Sequence, residues 1–308
     1  MPQSKRRSQK GEMGMKGYRV VLKGSCLAAG LILGAMLSAC PGLAEEVPPA
    51  VAEKVKEAEA AEAGQTERPQ VSLSLDLLSQ YVFRGVAFSR DSAVFQPSIT
   101  ISYKGFAANI WGNFDTDERN PFGLSRPEKN PKWNETDFTL SYSRELCKDF
   151  SGTVGLIYYA LDSNNSPDDQ LEIFGTLGYK IPRLNLGVGL AVYREVSHFP
   201  GWYLEGYLTR SLNLPFAGAS LELYASWSAE LSEDHAAFPT KDGGRYRSLH
   251  AGQLRAAVNF PVTKNLTVSP KMIYWYNLGN DAAFAIRRLS WDRKPNHFLG
   301  GVSIAATF

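Results

Sequence analysis

The chain has 308 residues, 33 Lys and Arg against 31 Asp and Glu, a formal net charge of +2, 44% hydrophobic residues and 21% charged residues. That is too apolar for a disordered chain and too polar for a bundle of membrane helices, and three cysteines exclude a disulfide scaffold. Twenty-seven glycines, 14 tyrosines and 16 phenylalanines favour strands over helices.

Residues 1–24 hold Lys5, Arg6, Arg7, Lys10, Lys16, Arg19 and Lys23 against one acid, Glu12. An apolar run from Cys26 to Cys40 follows, then Pro41-Gly42-Leu43-Ala44 and the acids Glu45 and Glu46. A basic segment, a short apolar segment and small residues at a cleavage point make a secretory signal peptide, placed at residues 1–44. Met13 and Met15 are alternative starts to Met1. Leu37-Ser38-Ala39-Cys40 resembles a lipoprotein cleavage box that would leave Cys40 lipidated; Pro41 directly after it favours cleavage behind Ala44. Without the leader the chain carries 26 basic and 30 acidic residues, a net charge of −4. The basic balance therefore belongs to export, and nucleic acid drops out as a partner. Cys147 is then the remaining cysteine and reads as a free thiol. Residues 45–69 are rich in Ala, Glu and Pro and lack aromatics, the composition of a flexible periplasmic linker.

From Gln70 the pattern changes to period two. Leu184, Leu186, Val188, Leu190 and Val192 alternate with small or polar residues, as do Ala219, Leu221, Leu223, Ala225 and Trp227. A soluble sandwich would alternate in the same way, so the spacing of segments has to decide. Strands are predicted near 71–83, 93–103, 105–114, 133–145, 150–161, 168–180, 183–195, 201–211, 217–229, 246–260, 264–276 and 298–308. Each suffices to cross a bilayer when tilted, which takes roughly 9–11 residues. Short turns such as Lys104-Gly105 and Cys147-Lys148 alternate with long polar connections at 84–92, 115–132, 162–167, 196–200, 230–245 and 277–297. The predicted fold is therefore all-β: a transmembrane antiparallel up-and-down β-barrel of about 12 strands over residues 70–308, in the outer membrane of a Gram-negative bacterium with both termini periplasmic. Phe106, Phe150, Phe260 and Phe308 at the short-turn ends, and Tyr81, Phe83, Trp202, Trp227 and Tyr274 towards the long-loop ends, read as interfacial girdles facing lipid. Pro97 and Pro270 each remove a ladder hydrogen bond, so bulges or shifted boundaries are expected there. The closing run Val302 to Phe308 resembles the C-terminal signal that such barrels present to their assembly machinery.

The segment Tyr81-Val82-Phe83-Arg84-Gly85, with Ile110-Trp111-Gly112 further on, resembles the TorF-type porins, Gram-negative outer-membrane proteins with a similar segment at the end of the first strand. The resemblance covers about the first third of the barrel by motif and the rest by architecture. It implies an outer-membrane channel of undefined substrate and brings no catalytic residues. Channels of the Tsx and MipA/OmpV types are similar in size and strand number.

If Leu73, Leu75 and Leu77 face lipid, the pleat turns a polar set inward: Asp76, Arg84, Asn109, Asn113, Asp115, Glu135, Asp137, Glu172, Glu205, Glu222, Arg247, Arg255 and Lys271, the expected pore lining. Ser74, Gln80, Thr139, Tyr193, Glu195, Tyr203, Tyr207, Tyr224 and Gln253 join them. A one-residue slip would reverse any strand. The acids fall mainly on strands three to nine and the bases on strands one, ten and eleven. Closure of the barrel would thus set a basic arc opposite an acidic wall, with a weak preference for cations. Two local alternatives stand beside this: Arg255 and Lys271 pair with the nearest carboxylates, and Arg84 pairs with a carboxylate such as Asp115 to hold the first long loop. His198, His235, His250 and His297 show neither a serine motif nor metal-ligand spacing, and no phosphate loop is visible, so neither enzymatic activity nor a cofactor is expected. The expected function is passive diffusion of small polar solutes. The alternative is a filled barrel acting as a receptor, adhesive or structural protein.

Overall fold

The computed structural model describes residues 68–119, 130–162 and 168–308. The leader and nearly all of the linker lie outside these. Twelve strands close into one antiparallel barrel in the order β1-β14-β13-β12-β11-β10-β9-β8-β7-β6-β5-β4. They are β1 (Gln70–Leu78), β4 (Val94–Tyr103), β5 (Phe106–Asp115), β6 (Lys132–Cys147), β7 (Phe150–Leu161), β8 (Gln170–Ile181), β9 (Leu186–Glu195), β10 (Gly201–Asn213), β11 (Ser220–Ser232), β12 (Arg247–Pro261), β13 (Leu266–Asn277) and β14 (His297–Thr307). A small hairpin, β2 (Val82–Phe83) and β3 (Val86–Ala87), and a helix, α1 (Asn280–Leu289), sit in the long connections. Ser72 pairs with both Thr307 and Thr100, so the first strand seals the barrel between β14 and β4.

The apolar face of these strands is the outer one. Ile101, Ile110, Leu140, Val154, Ile173, Leu254, Met272 and Phe298 are all exposed. A water-soluble protein rarely leaves so continuous an apolar surface, whereas a barrel in lipid requires it. Closure satisfies the ladder groups that an open edge would leave unpaired in hydrocarbon. Trp202, Trp227, Tyr274, Phe106 and Phe308 stand exposed on this outer face, as the girdles require. Tyr81 and Phe83 do not: β1 stops at Leu78, not at 83, and the chain turns into the lumen, where Tyr81 is buried. Phe150 is buried as well.

The prolines cause less disturbance than expected. Pro97 keeps its pairing with Leu75 and Pro270 its pairing with Val302. On their other sides the ladders skip a few positions and resume in the same register. The register shifts lie elsewhere, between Asn113 and Phe114 against β6, between Glu145 and Cys147 against β7, and between Trp227 and Ala229 against β12. Cys147 is disulfide-bonded in the full-length chain; the free-thiol expectation concerns the chain once residues 1–44 are removed.

Helix α1 was not expected in the last long connection. Ala282, Ala285 and Ile286 form its buried stripe, at helical spacing. Asp281 in its first turn and Arg287 and Arg288 in its last complement the helix dipole.

Candidate functional site

The first long connection folds back into the barrel. Val82 pairs with Ala87 and Phe83 with Val86, leaving Arg84 and Gly85 as a two-residue turn with φ of 47° and 84°. Two successive positive φ values mark the turn type that matches strand twist. Lys104-Gly105 has the same signature at 48° and 84°. Gly85 is required on two counts: its φ, and a Cβ there would lie 2.7 Å from the Ala251 Cβ on the barrel wall. The amide of Phe88 donates to the Tyr81 carbonyl at 2.9 Å and extends the ladder.

Helix α1 clamps this hairpin. The Ala87 amide donates to Ser290 Oγ at 3.1 Å, and the Trp291 amide donates to the Ala87 carbonyl at 2.9 Å. Val86 packs with Ala282 and Ile286 of α1 and with Ala251, Ile273, Trp275 and Leu299 of the wall. Asp292 ties the ends together. Gln80 Nε2 donates to its Oδ2 at 2.9 Å, the Lys294 amide donates to Oδ1 at 3.0 Å, and His297 Nε2 lies 3.1 Å from the same oxygen. Burial works against the Asp292 charge, and these hydrogen bonds outweigh it, holding the carboxyl down at about 2.

At the tip, Arg84 crosses the lumen. Its Nη1 and Nη2 donate to Glu172 Oε1 and Oε2 at 2.6 and 2.8 Å, a bidentate pair, and Tyr159 Oη donates to Oε2 at 2.8 Å. The guanidinium carbon lies 4.2 Å from the ring centre of Tyr203, 4.4 Å from Tyr193 and 4.8 Å from Phe83. Such contacts are worth up to about 2 kcal/mol each when desolvated. The partner is Glu172, not Asp115, which lies at the end of β5 and accepts the Asp117 amide at 2.9 Å.

The other expected lining residues divide into three groups. Asn109, Asn113, Asp137, Glu135 and Glu205 are buried on the inner face, and Glu222 shares the inner side of β11 with Tyr224 and Ser226. They are tied to one another: Asn109 Nδ2 donates to Ser98 Oγ at 2.7 Å, Asn113 bridges Gln96 and Asn134, and Tyr224 Oη donates to Glu205 at 3.0 Å. Lys271 pairs with Asp76 at 2.8 Å, with Ser303 as a further partner of Asp76, and Arg255 lies 5.2 Å from the Tyr224 ring centre. Arg247 points out of the barrel. It pairs with Leu231, while the neighbouring pair Glu230 and Ser248 faces inward. The bulge at His250 and Ala251, both buried, adds one residue to β12 and reverses its pleat beyond that point. The basic arc therefore does not exist as expected: Arg84 is bound to the acidic wall, Lys271 is paired locally, and Arg247 is outside.

The sequence also did not reveal an apolar inner cluster. Ile157, Phe174, Ala191, Tyr193 and Tyr203 pack together inside the barrel with Phe83 against them. Phe174 sits at an inward position between Glu172 and Thr176, and inward parity on β8 would have found it. Trp111, of the Ile110-Trp111-Gly112 segment, points inward against Tyr81 with ring centres 5.7 Å apart. Gly112 leaves room for Trp133 outside, whose ring a Cβ would meet at 2.0 Å.

Two cavities flank the plug. A vestibule of about 450 Å³ opens towards the long loops, bounded by Phe83, Arg84, Glu172, Tyr203, Glu230 and Trp291 among others. A pocket of about 130 Å³ lies deeper, bounded by the same Phe83 and Arg84 and by Asp76, Asp137, Glu205, Arg255 and Lys271. The hairpin tip is the partition between them.

Among solved structures the chain is similar to the NanC porin at 10% identity and TM-score 0.48, covering 77% of this chain and 98% of that one. It is similar to the KdgM porin at 12% identity and TM-score 0.46, covering 77% and 99%. An outer-membrane channel from Pseudomonas putida F1 matches at 10% identity and TM-score 0.45, covering 87% and 99%. No curated protein matches the sequence. Residues 62–227, more than half of the chain, match the family described as bacterial protein of unknown function (Gcw_chp), and the chain belongs to that family.

Proposed function

We propose that this protein is a porin-like outer-membrane channel through which small polar solutes diffuse passively, with the β2–β3 hairpin as its constriction. The observation that carries this is the pair of cavities inside one closed barrel, both bounded by Phe83 and Arg84 of the hairpin. A barrel built to be solid would have no need of a vestibule on one side of a tip and a polar pocket on the other. Twelve strands also lie between filled eight-stranded barrels and open porins of sixteen or more. On this reading the signal peptide at residues 1–44 exports the chain, Phe308 presents it to the assembly machinery, and outer-membrane lipid surrounds the apolar face. Kinship with the TorF-type porins through Tyr81 to Gly85 belongs to the same proposal.

One observation favours the second reading, a filled barrel serving as a receptor: Arg84 is bonded through both Nη1 and Nη2 and stacked against three rings, so the tip is held firmly. Conductance in planar bilayers separates the two. A channel carries current that rises when the hairpin is loosened. A filled barrel carries none from folded protein, whatever is done to the tip.

A further inference from the structure

The vestibule presents four carboxylates, Glu135, Glu172, Glu195 and Glu230, and one guanidinium, Arg84. Three of the carboxylates are already matched. Glu172 holds Arg84 and Tyr159. Glu195 accepts the amides of Ser197, His198 and Phe199 at 2.8, 3.2 and 2.7 Å and so closes the β9–β10 turn. Glu135 takes a hydrogen bond from Tyr81. Glu230 differs. It is 6% exposed, lies on the inward face of β11, borders the vestibule, and among the described residues no hydrogen bond reaches its carboxylate. A carboxylate that has lost most of its water and has no protein donor is poorly solvated, and a ligand that supplies a donor offsets that cost.

The rest of the wall specifies the ligand further. Phe88, Phe199, Tyr203, Phe238 and Trp291 line the same space. Phe88 and Trp291 meet edge to face with ring centres 6.2 Å apart, and Phe238 stacks on Tyr246 at 5.4 Å, so these rings are held in place. Aromatic faces attract cations, and their apolar bodies suit a hydrocarbon group. The volume of about 450 Å³ suits a small organic molecule, not a polymer.

We propose that the vestibule is a binding site for small organic cations, an ammonium group on an apolar body, with Glu230 as the residue that receives the ammonium. This names a solute class for the channel proposed above and rests on the vestibule being reachable from outside. Binding is read separately from conduction, so the two proposals fail separately.

The test is calorimetric titration of the refolded barrel in detergent with phenethylamine, 2-phenylethanol and phenylacetate, three ligands of one shape and three charges. Phenethylamine is expected to bind at least about tenfold more tightly than the alcohol, the worth of one charge-assisted hydrogen bond, and phenylacetate least of all. Glu230→Gln should bring the amine to the level of the alcohol and leave the alcohol unchanged. Glu230→Asp, which withdraws the carboxylate by one methylene, should weaken the amine by a smaller factor; it serves if the Gln variant does not refold. Asp242→Asn, in an exposed loop outside the vestibule, should change nothing. Equal binding of amine and alcohol, or amine binding that survives Glu230→Gln in a heat-modifiable barrel, overturns the assignment. An amine-selective barrel that carries no current upholds it and overturns the channel.

Discussion

At Arg84 one side chain carries a bidentate ion pair, two tyrosine faces and a phenylalanine face. Replacing it alone leaves Glu172 buried without its match, and breaking a buried pair from one side typically costs about 3–5 kcal/mol. Arg84→Met and Glu172→Gln should each destabilise the barrel, and the double variant should cost less than their sum, with a coupling of about 1.5–3 kcal/mol in urea unfolding. Strict additivity would mean the pair is incidental. Gly85→Ala should cost about 1–3 kcal/mol, because the added Cβ meets both an unfavourable φ and Ala251, and the loss should show as faster exchange of the Phe88 amide. The pairing of Arg84 with a carboxylate was legible, since a guanidinium in a polar lumen needs one. Its partner was not, because the bond spans residues 84 and 172 and depends on a turn that aims the side chain across the barrel.

The strands were legible because period two, tight turns and exposed apolar faces agree along β4 to β14. The hairpin was not, because two-residue strands carry no periodicity; Arg84-Gly85 between Val82-Phe83 and Val86-Ala87 is nonetheless the turn signal seen at Lys104-Gly105. Helix α1 escaped for the related reason that Ala282, Ala285 and Ile286 make a stripe in a segment assigned to a loop by its position. The bulge at His250 and Ala251 cannot be read from β12 itself, since it appears only against β11, and it alone turns Arg247 outward. At this scale Asp292 is the fastening of α1 and the hairpin. Its folded carboxyl lies at about 2, below its usual value. The stability it contributes is therefore complete above the ordinary carboxylate range and is lost as pH falls towards 2. Hydrogen exchange of the α1 amides should stay slow at pH 5. Asp292→Asn should quicken it roughly tenfold at that pH, the loss of about one charge-assisted hydrogen bond. Unchanged exchange would assign the fastening to the apolar contacts of Val86 and Ile286 alone.

Across the whole molecule, Arg247 lies outside the barrel, so the lumen holds one base fewer than the expected arc and its charge is more acidic. Arg84 is held by Glu172 and Lys271 by Asp76, which leaves Glu205 and Glu222 facing Arg255. A current through this barrel should prefer cations. Glu205→Gln with Glu222→Gln should shift the reversal potential towards anions in a dilute salt gradient, and the shift should shrink at 1 M salt, where screening shortens to about 3 Å. No shift in dilute salt would place those carboxylates off the conducting path. The central claim is that the hairpin is the constriction of a channel, and single-channel conductance in planar bilayers tests it most directly. The full-length barrel should give small or brief openings, and a variant whose first long connection is shortened to remove β2 and β3 should give a larger, steady conductance. Silence from both proteins, each folded and heat-modifiable, would contradict the claim and leave the filled barrel.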